Sequence, residues 1–449
     1  MTLFRRRRLI AWLIRAYIKR WGKSFLLFFG IGLVFFFLIF LNRDFIASKI
    51  PFSQSRDIGI VGSFRTDNLP SEVLDNISEG LTNVSEDGVV HPSAAKKWEI
   101  KDGGKTYIFH LNQNLHFSDG KQVDSYSIRY SFSDVKIERP DKWTLVFKLK
   151  ESYSPFLLTV SNRKIFKDNL VGIGKGKITD IKVNGGYVQR IDVTLSSKHI
   201  SYKFFDTQEA LRTAFLLGEI DVITDINSID FRNNSFKKFN NATIEKKVNY
   251  SKLVTIFYDN QNKTLSDKKI RKALSYALPN DFREGQRNFT PYSPKLWANT
   301  PIDNPNQQDI EHSRLLLDQV ASTSGKLDFT IKTLPQYRDL AQHISESWKA
   351  VGVNTVIETV DSVPQSFQIF LGEFLVLRDP DQYSLWHSGQ PSNISNYRNL
   401  RIDKLLEDGR KTISESERKA IYANFEKYLL DDSPASFLYF PYTYTVSRR

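Results

Sequence analysis

Between Trp98 and Phe132 apolar and polar positions alternate around two glycine-bearing turns. Trp98-Glu99-Ile100 and Tyr107-Ile108-Phe109-His110-Leu111 flank Asp102-Gly103-Gly104, the pattern of a β-hairpin. Tyr107, Phe109 and Leu111 share one face of the second arm, so that face can be buried. Phe117-Ser118-Asp119-Gly120 reads as a second turn, because glycine tolerates the positive φ such turns use. Asp124 is placed to cap a segment carrying Ile128, Tyr130 and Phe132, which periodicity leaves open between helix and strand.

Helical spacing takes over further along. Asp206 and Glu209 have capping-box spacing ahead of Ala210, Leu211, Ala214 and Phe215, Gly218 ends that run, and Glu219 to Ile223 reads as a strand. Glu219 and Asp221 invite a catalytic reading, but turn and edge roles are commoner for such a pair. Ser266-Asp267 opens a helix with Ile270, Ala273, Leu274 and Ala277 on one face. Leu340, Ile344 and Trp348 mark another, stopped at Gly352 and followed by an alternating strand from Val353 to Val360. Helix, glycine, strand is the unit that packs helices on a sheet. Ser414 and Glu417 begin a last helix with Ile421, Tyr422, Phe425, Tyr428 and Leu429 on its apolar face; Phe437 to Val446 then returns as an aromatic strand.

A chain of 449 residues, 41% of them hydrophobic and 25% charged, has room for two or three lobes with cores of their own. The net charge of +13 points to nucleic acid until it is located. Residues 1–23 hold eight arginines and lysines and no acid, which leaves +5 for everything else. Residues 24–41, from Ser24 to Leu41, carry no charge and as a helix would span about 27 Å, close to a bilayer core. Basic residues crowd the near side, so the expectation is one transmembrane helix with its N-terminus cytoplasmic. A long cleaved signal peptide is the alternative, although Ile46-Ala47-Ser48 makes a poor cleavage site. Residues 1–23 would then be a basic interfacial segment and 42–56 a linker.

The chain has no cysteine, which removes disulfides, thiolate metal sites and cysteine nucleophiles. None of the seven histidines has metal-ligand spacing. Gly172 to Gly176 lacks the Gly-Lys-Ser/Thr ending that cradles phosphate, and no Gly-x-Ser-x-Gly elbow occurs. No metal or cofactor is implied.

Several segments in order carry a resemblance. Glu79-Gly80-Leu81, then Pro92-Ser93-Ala94 leading to Trp98, the hairpin and Phe117-Ser118-Asp119-Gly120 resemble the bacterial extracellular solute-binding proteins of family 5, the oligopeptide- and dipeptide-binding subunits of ABC importers. Asp267 to Ala277, with Arg271-Lys272-Ala273-Leu274-Ser275-Tyr276-Ala277, is similar to the family's second-lobe helix. So is the series Asp379-Pro380-Asp381-Gln382-Tyr383, Trp386, Asn393 to Tyr397 and Ile402-Asp403. The resemblance spans about residues 57 to 446, with the stretches before Asp141 and after Asn280 shorter than usual.

The resemblance implies an α/β, two-lobed periplasmic-binding-protein-like fold with mixed sheets, an inter-lobe cleft and a double crossover: lobe 1 over 57–250, lobe 2 over 251–436 and a return to lobe 1 over 437–449. It implies an extracellular receptor, not an enzyme, that captures short peptides for an ABC transporter permease and binds no nucleic acid. The strand before Asp379-Pro380 would face the ligand. Where peptide binders carry an aspartate three residues before that Asp, this chain has Val376. Glu373 and Arg378 would supply charges in its place, Arg offering a planar fork for a carboxylate. Phe374, Asp379, Tyr383, Trp386 and Tyr397 complete the expected cleft, with Arg65 on the opposite rim. Read alone, Glu373 and Arg378 equally suit a surface flanking a core strand, and the aromatic residues equally suit a core. Val376 and the trimmed segments also suit a sensor or scaffold without ligand. A tethered hydrolase would need a nucleophile, base and orienter that this sequence does not assemble.

Overall fold

The computed structural model describes residues 54–449 apart from 175, 197, 232–233, 301–306 and 325–326, and ahead of them Lys19, Trp21, Lys23 and residues 28–33. There are two compact units, Met1–Ser55 with Ser197–His199, and Arg56–Ser196 with Ile200–Arg449. In the first, residues 28–33 are helical. Among the described residues no helix is long and apolar enough to cross a membrane. The expected span over 24–41 lies mostly outside the described residues, as do most of segments 1–23 and 42–56.

Strand β1 (Gln54–Val61) leads into the second unit and is followed by helix α1 (Ser71–Ile77). A short hairpin of β2 (Thr82–Val84) and β3 (Val90–Pro92) comes next. It precedes an antiparallel sheet of β4 (Ala95–Lys101), β5 (Thr106–Leu111), β6 (Val135–Asp141) and β7 (Thr144–Leu149), ordered β4-β5-β7-β6. The hairpin expected from alternation is the β4–β5 pair, with Trp98 opposite Phe109. Tyr107, Phe109 and Leu111 are fully buried against Phe147 and against Phe156 of helix α2 (Phe156–Asn162). The segment after Asp124 is neither helix nor strand. The Asp124 carboxylate accepts the Ser127 amide at 2.8 Å, and the turn this closes leaves Ile128, Tyr130 and Phe132 packed by side-chain contact alone.

Residues Gly172, Gly174 and Gly176 show why this glycine run exists. A Cβ on Gly172 would stand 2.0 Å from the Ile77 carbonyl oxygen, and one on Gly174 2.7 Å from the Ile77 carbonyl carbon. The chain here passes against the end of α1, too close for any side chain.

Next come β8 (Gly176–Asn184), β9 (Tyr187–Leu195), β10 (Lys198–Phe205), α3 (Gln208–Leu217), β11 (Val222–Ile226), β12 (Ala242–Val248) and β13 (Lys252–Tyr258). The α3 cap falls one residue later than its spacing suggests. Thr207 Oγ1 accepts the Ala210 amide at 3.1 Å, while Asp206 is taken by the Ser63 hydroxyl at 2.6 Å. The remaining elements are α4 (Lys268–Tyr276), β14 (Gly285–Arg287), α5 (Ile310–Ser324), β15 (Asp328–Thr333), α6 (Arg338–Lys349), β16 (Asn354–Thr359), β17 (Ile369–Leu375), α7 (Tyr383–Trp386), α8 (Leu400–Lys411), α9 (Glu415–Asp432) and β18 (Ala435–Arg448).

One mixed sheet runs through the unit in the order β8-β9-β10-β1-β11-β18-β13-β17-β15-β16, with β12 and β14 also paired to β18. Strand β18 joins its two halves. Its first residues pair with β13, Ala435 opposite Phe257, and its last pair with β11 and β12, Val446 opposite both Ile223 and Ile244. Separate cores lie on either side of this join. One gathers Ile223, Phe236 and Val446 under α3, and another gathers Ile270, Ile344 and Trp348 on β13, β15 and β17. The aromatic alternation from Phe437 to Val446 is therefore the signature of a strand that must be buried in two places.

Candidate functional site: a cleft along strand β17

The pairing of β17 with β15 is parallel and stops at Thr333 opposite Leu371. On its other side β17 stays paired with β13 as far as Leu375 opposite Lys252, and the Val376 amide still donates to the Ser251 carbonyl at 2.9 Å. Backbone groups point alternately to the two sides of a strand. With Val376 turned to β13, the N–H and C=O of Glu373 and Leu375 face the side that β15 has left. No strand among the described residues pairs with them there.

Cavities line up beside this open edge. One of about 720 Å³ is lined by Asp225, Lys252, Tyr337, Asp339, Glu373 and Tyr439, among others. A second, of about 300 Å³, shares Asp225, Asn249 and Thr443 with it and adds Val376, Leu377 and Arg378. A third, of about 570 Å³, shares Val376, Leu377 and Arg378 and reaches Asp75, Glu79 and Lys164 on the far side. Shared walls make these one groove from Glu373 to Arg378. Behind Arg378 a fourth space, of about 250 Å³, lies among Trp98, Leu157, Trp297 and Ile413.

Glu373 lines the 720 Å³ cavity, paired with Lys252 Nζ at 3.0 Å and accepting the Tyr337 hydroxyl. Burial, with this carboxylate beside it, drives the Tyr337 phenol far above its ordinary range, so it stays a donor. Arg378 is at the other end and donates Nη1 to the Val84 carbonyl at 2.7 Å, linking β17 to the β2–β3 hairpin. Asp225 enters from β11. It holds φ +53° at an irregularity in the β11–β18 pairing between Ile223 and Ile226, and this turns it out of the strand into the cavity. Its charge adds to burial in raising the pKa of Glu72 on α1.

Other expected residues stand elsewhere. Phe374, 8% exposed, packs in the core against Phe257 and Phe437, because alternation turns it to the sheet face opposite Glu373. Trp386 is fully buried, its indole N–H bonded to Gln382 Oε1 at 2.7 Å. Tyr397 is buried too, its hydroxyl donating to Asp432 at 2.5 Å. Tyr383 is held between the His387 ring and the Arg410 guanidinium, each at 4.2 Å. Asp379 is bound by Arg418 Nη2 at 2.7 Å, as Asp381 is by Arg410 Nε at 2.8 Å. The Asp-Pro-Asp turn is thereby pinned to α8 and α9, and the Asp379 charge is spent inside the fold. Arg65 is exposed, 4.0 Å from Asp67, and is absent from the lining of these cavities. Of the expected set the structure brings Glu373 and Arg378 to the cleft and sets Phe374, Trp386 and Tyr397 into the core instead.

Lys252, Tyr337, Asp339, Glu284, Tyr439 and Asp225 escape sequence reading. Only Tyr439 left a trace there, within the aromatic run of β18. The others come from separate segments whose meeting depends on the strand order. Among the described residues no group of three or more His, Cys, Asp or Glu is placed to hold a metal ion.

A mixed α/β body of two lobes beside a groove is the architecture of a solute-binding protein. The family model described as bacterial extracellular solute-binding proteins, family 5 Middle, matches residues 89–396, and the chain belongs to that family. It is 23% identical over 428 residues to the probable D,D-dipeptide-binding periplasmic protein DdpA of Escherichia coli, covering 80% of each chain. It is 22% identical over 460 residues to the oligopeptide-binding protein AppA of Bacillus subtilis, covering 84% of this chain and 83% of that one. Among solved structures it resembles the ABC transporter substrate-binding protein CtaP of Listeria monocytogenes, with TM-score 0.75 and 20% identity over 88% of this chain and 94% of that one. It also resembles AppA of Bacillus subtilis solved with a nonapeptide, with TM-score 0.66, 20% identity and the same coverage.

Proposed function

We propose that this chain captures short peptides in the cleft beside β17 and presents them to the permease of an ABC importer. The observation that carries this reading is the unpaired edge at Glu373 and Leu375, lying along the groove. An extended peptide adds to such an edge through main-chain hydrogen bonds, whatever its side chains, and neighbouring spaces then take the side chains. Relatives named for oligopeptide and dipeptide binding support the same choice. Residues 57–250 with 437–449 would form one lobe and 251–436 the other. A ligand touching both stabilises the closed arrangement. Glu373 and Arg378 line the groove at its two ends, while Asp379, Tyr383, Trp386 and Tyr397 hold the turn beneath it.

In this reading residues 24–41 tether the receptor to the outer face of the membrane, on the strength of their uncharged composition and the basic residues before them. Membranes from expressing cells test both parts. Carbonate washing should leave the full chain in the pellet. Protein extracted from those membranes should melt several degrees higher with a millimolar pool of di- to pentapeptides, since ligand at about 100 times Kd adds about 2.7 kcal/mol. The peptides should be recovered intact. An unmoved melting temperature would remove peptide capture, and release by carbonate would remove the tether.

A further inference from the structure

The 720 Å³ end of the cleft has a charge opposite to that of the protein. The chain carries 63 lysines and arginines against 50 acids, yet the 720 Å³ cavity is lined by Asp225, Glu284, Asp339 and Glu373 with Lys252 as the one cation among the described residues. Lys252 is committed to Glu373 at 3.0 Å. Asp225, Glu284 and Asp339 have no ion-pair partner among the described residues, and they come from β11, the approach to β14 and the first turn of α6.

A second, separate feature concerns a phenol. Tyr439 on β18 is a wall of the same cavity and is only 2% exposed, yet its hydroxyl has no hydrogen-bond partner among the described residues. The hydroxyl itself is not sealed from solvent; it opens on the cavity with its hydrogen-bonding capacity unspent. Burial, and after it the carboxylates of Glu284 and Glu373, push this phenol well above its ordinary range, which places the hydroxyl within their field. A neutral phenol can accept an N–H from a bound cation and donate its own proton to a carboxylate.

We infer that this end of the cleft is a cation subsite, formed by Asp225, Glu284, Asp339 and the Tyr439 hydroxyl, and that the preferred solutes are basic oligopeptides. The inference rests on the peptide reading and adds the ligand's charge to it. Asp225 stands on β11 and Asp339 on α6, which packs on the other half of the long sheet, so a cation held by both would favour closure. Carboxylates without internal partners gain most from a ligand that brings the charge they lack.

Calorimetry on the full-length protein in detergent tests this with trilysine, trialanine, triglutamate and spermidine as probes. Trilysine should bind about tenfold or more tighter than trialanine at 50 mM NaCl, with triglutamate weakest, and the preference should shrink at 500 mM as charges are screened. Glu284 and Asp339 are exposed, so the double variant Glu284→Gln/Asp339→Asn leaves the cores alone. It should reduce the preference to about threefold or less. Equal affinity of the wild-type protein for trilysine and trialanine overturns the cation subsite while peptide capture stands. Binding of spermidine but of no tripeptide upholds the subsite and overturns peptide capture. Binding of none of the four overturns both.

Discussion

Replacing Arg271 by leucine is expected to cost about 4 kcal/mol of unfolding free energy, among the largest losses open to a single surface-distant change in this chain. Arg271 lies on α4 and is 5% exposed. Its guanidinium donates to the carbonyls of Leu265 at 2.7 Å, Ser266 at 3.0 Å and Ser433 at 2.9 Å, and also to that of Asp432. These carbonyls belong to the loop entering α4 and to the left-handed residue that ends α9. One planar fork therefore closes two helix ends at once. Burial pulls its pKa down, yet so strong a base stays charged. Leucine would leave the carbonyls buried and unbonded, at about 1–3 kcal/mol for each that water cannot reach. Lysine, a single point charge, should recover less than half of the loss. Urea unfolding of the three proteins measures this, and a loss under 1 kcal/mol for leucine would mean that the carbonyls find other partners.

Substituting methionine for Glu426 should have the opposite sign. Glu426 on α9 is fully buried, and neither carboxylate oxygen has a hydrogen-bond partner among the described residues. Burial raises its pKa to about 7. Below pH 4.5 the carboxyl is protonated in both folded and unfolded chains and carries no penalty. Between pH 4.5 and 7 the unfolded chain releases a proton that the folded chain keeps, so its contribution to stability falls as pH rises. Above pH 7 both are ionised and the penalty is constant, about 3 kcal/mol. Methionine fills a similar volume without charge. Glu426→Met should therefore equal the wild type in stability near pH 4 and exceed it by about 3 kcal/mol at pH 8. Urea titrations at both pH values decide it. A difference that does not change with pH would place the carboxyl in contact with water or with a partner.

The residues that carried the fold in the sequence were those whose pattern answers to one neighbour along the chain. Tyr107, Phe109 and Leu111 alternate because one sheet face is buried, and Ile270, Ala273 and Leu274 repeat at helical spacing because one helix face is. Both were legible. Boundaries slipped where two side chains compete for one role, as Asp206 and Thr207 do at the start of α3. Beyond Asp124 no period existed to be read, since Ile128, Tyr130 and Phe132 are held by contacts with distant elements.

The cleft was half legible. The resemblance at Asp379-Pro380 located the strand and named Glu373, Phe374 and Arg378 for the cleft, of which Glu373 and Arg378 line it. Alternation buries Phe374, a consequence available from the sequence once β17 was known to be covered on one side. Asp225 could not have been found this way, because its direction comes from an irregular pairing with β18, more than 200 residues later. Arg410 and Arg418 were likewise silent. Their partners Asp379 and Asp381 looked free until α8 and α9 were folded against them.

Amide hydrogen exchange at Glu373 and Leu375, with and without a saturating peptide pool, tests the central claim most directly. Peptide pairing along β17 predicts that exchange at these two amides slows about tenfold or more, while the Val376 amide, already bonded to Ser251, changes little. Peptides that bind and leave Glu373 and Leu375 exchanging as before would contradict it.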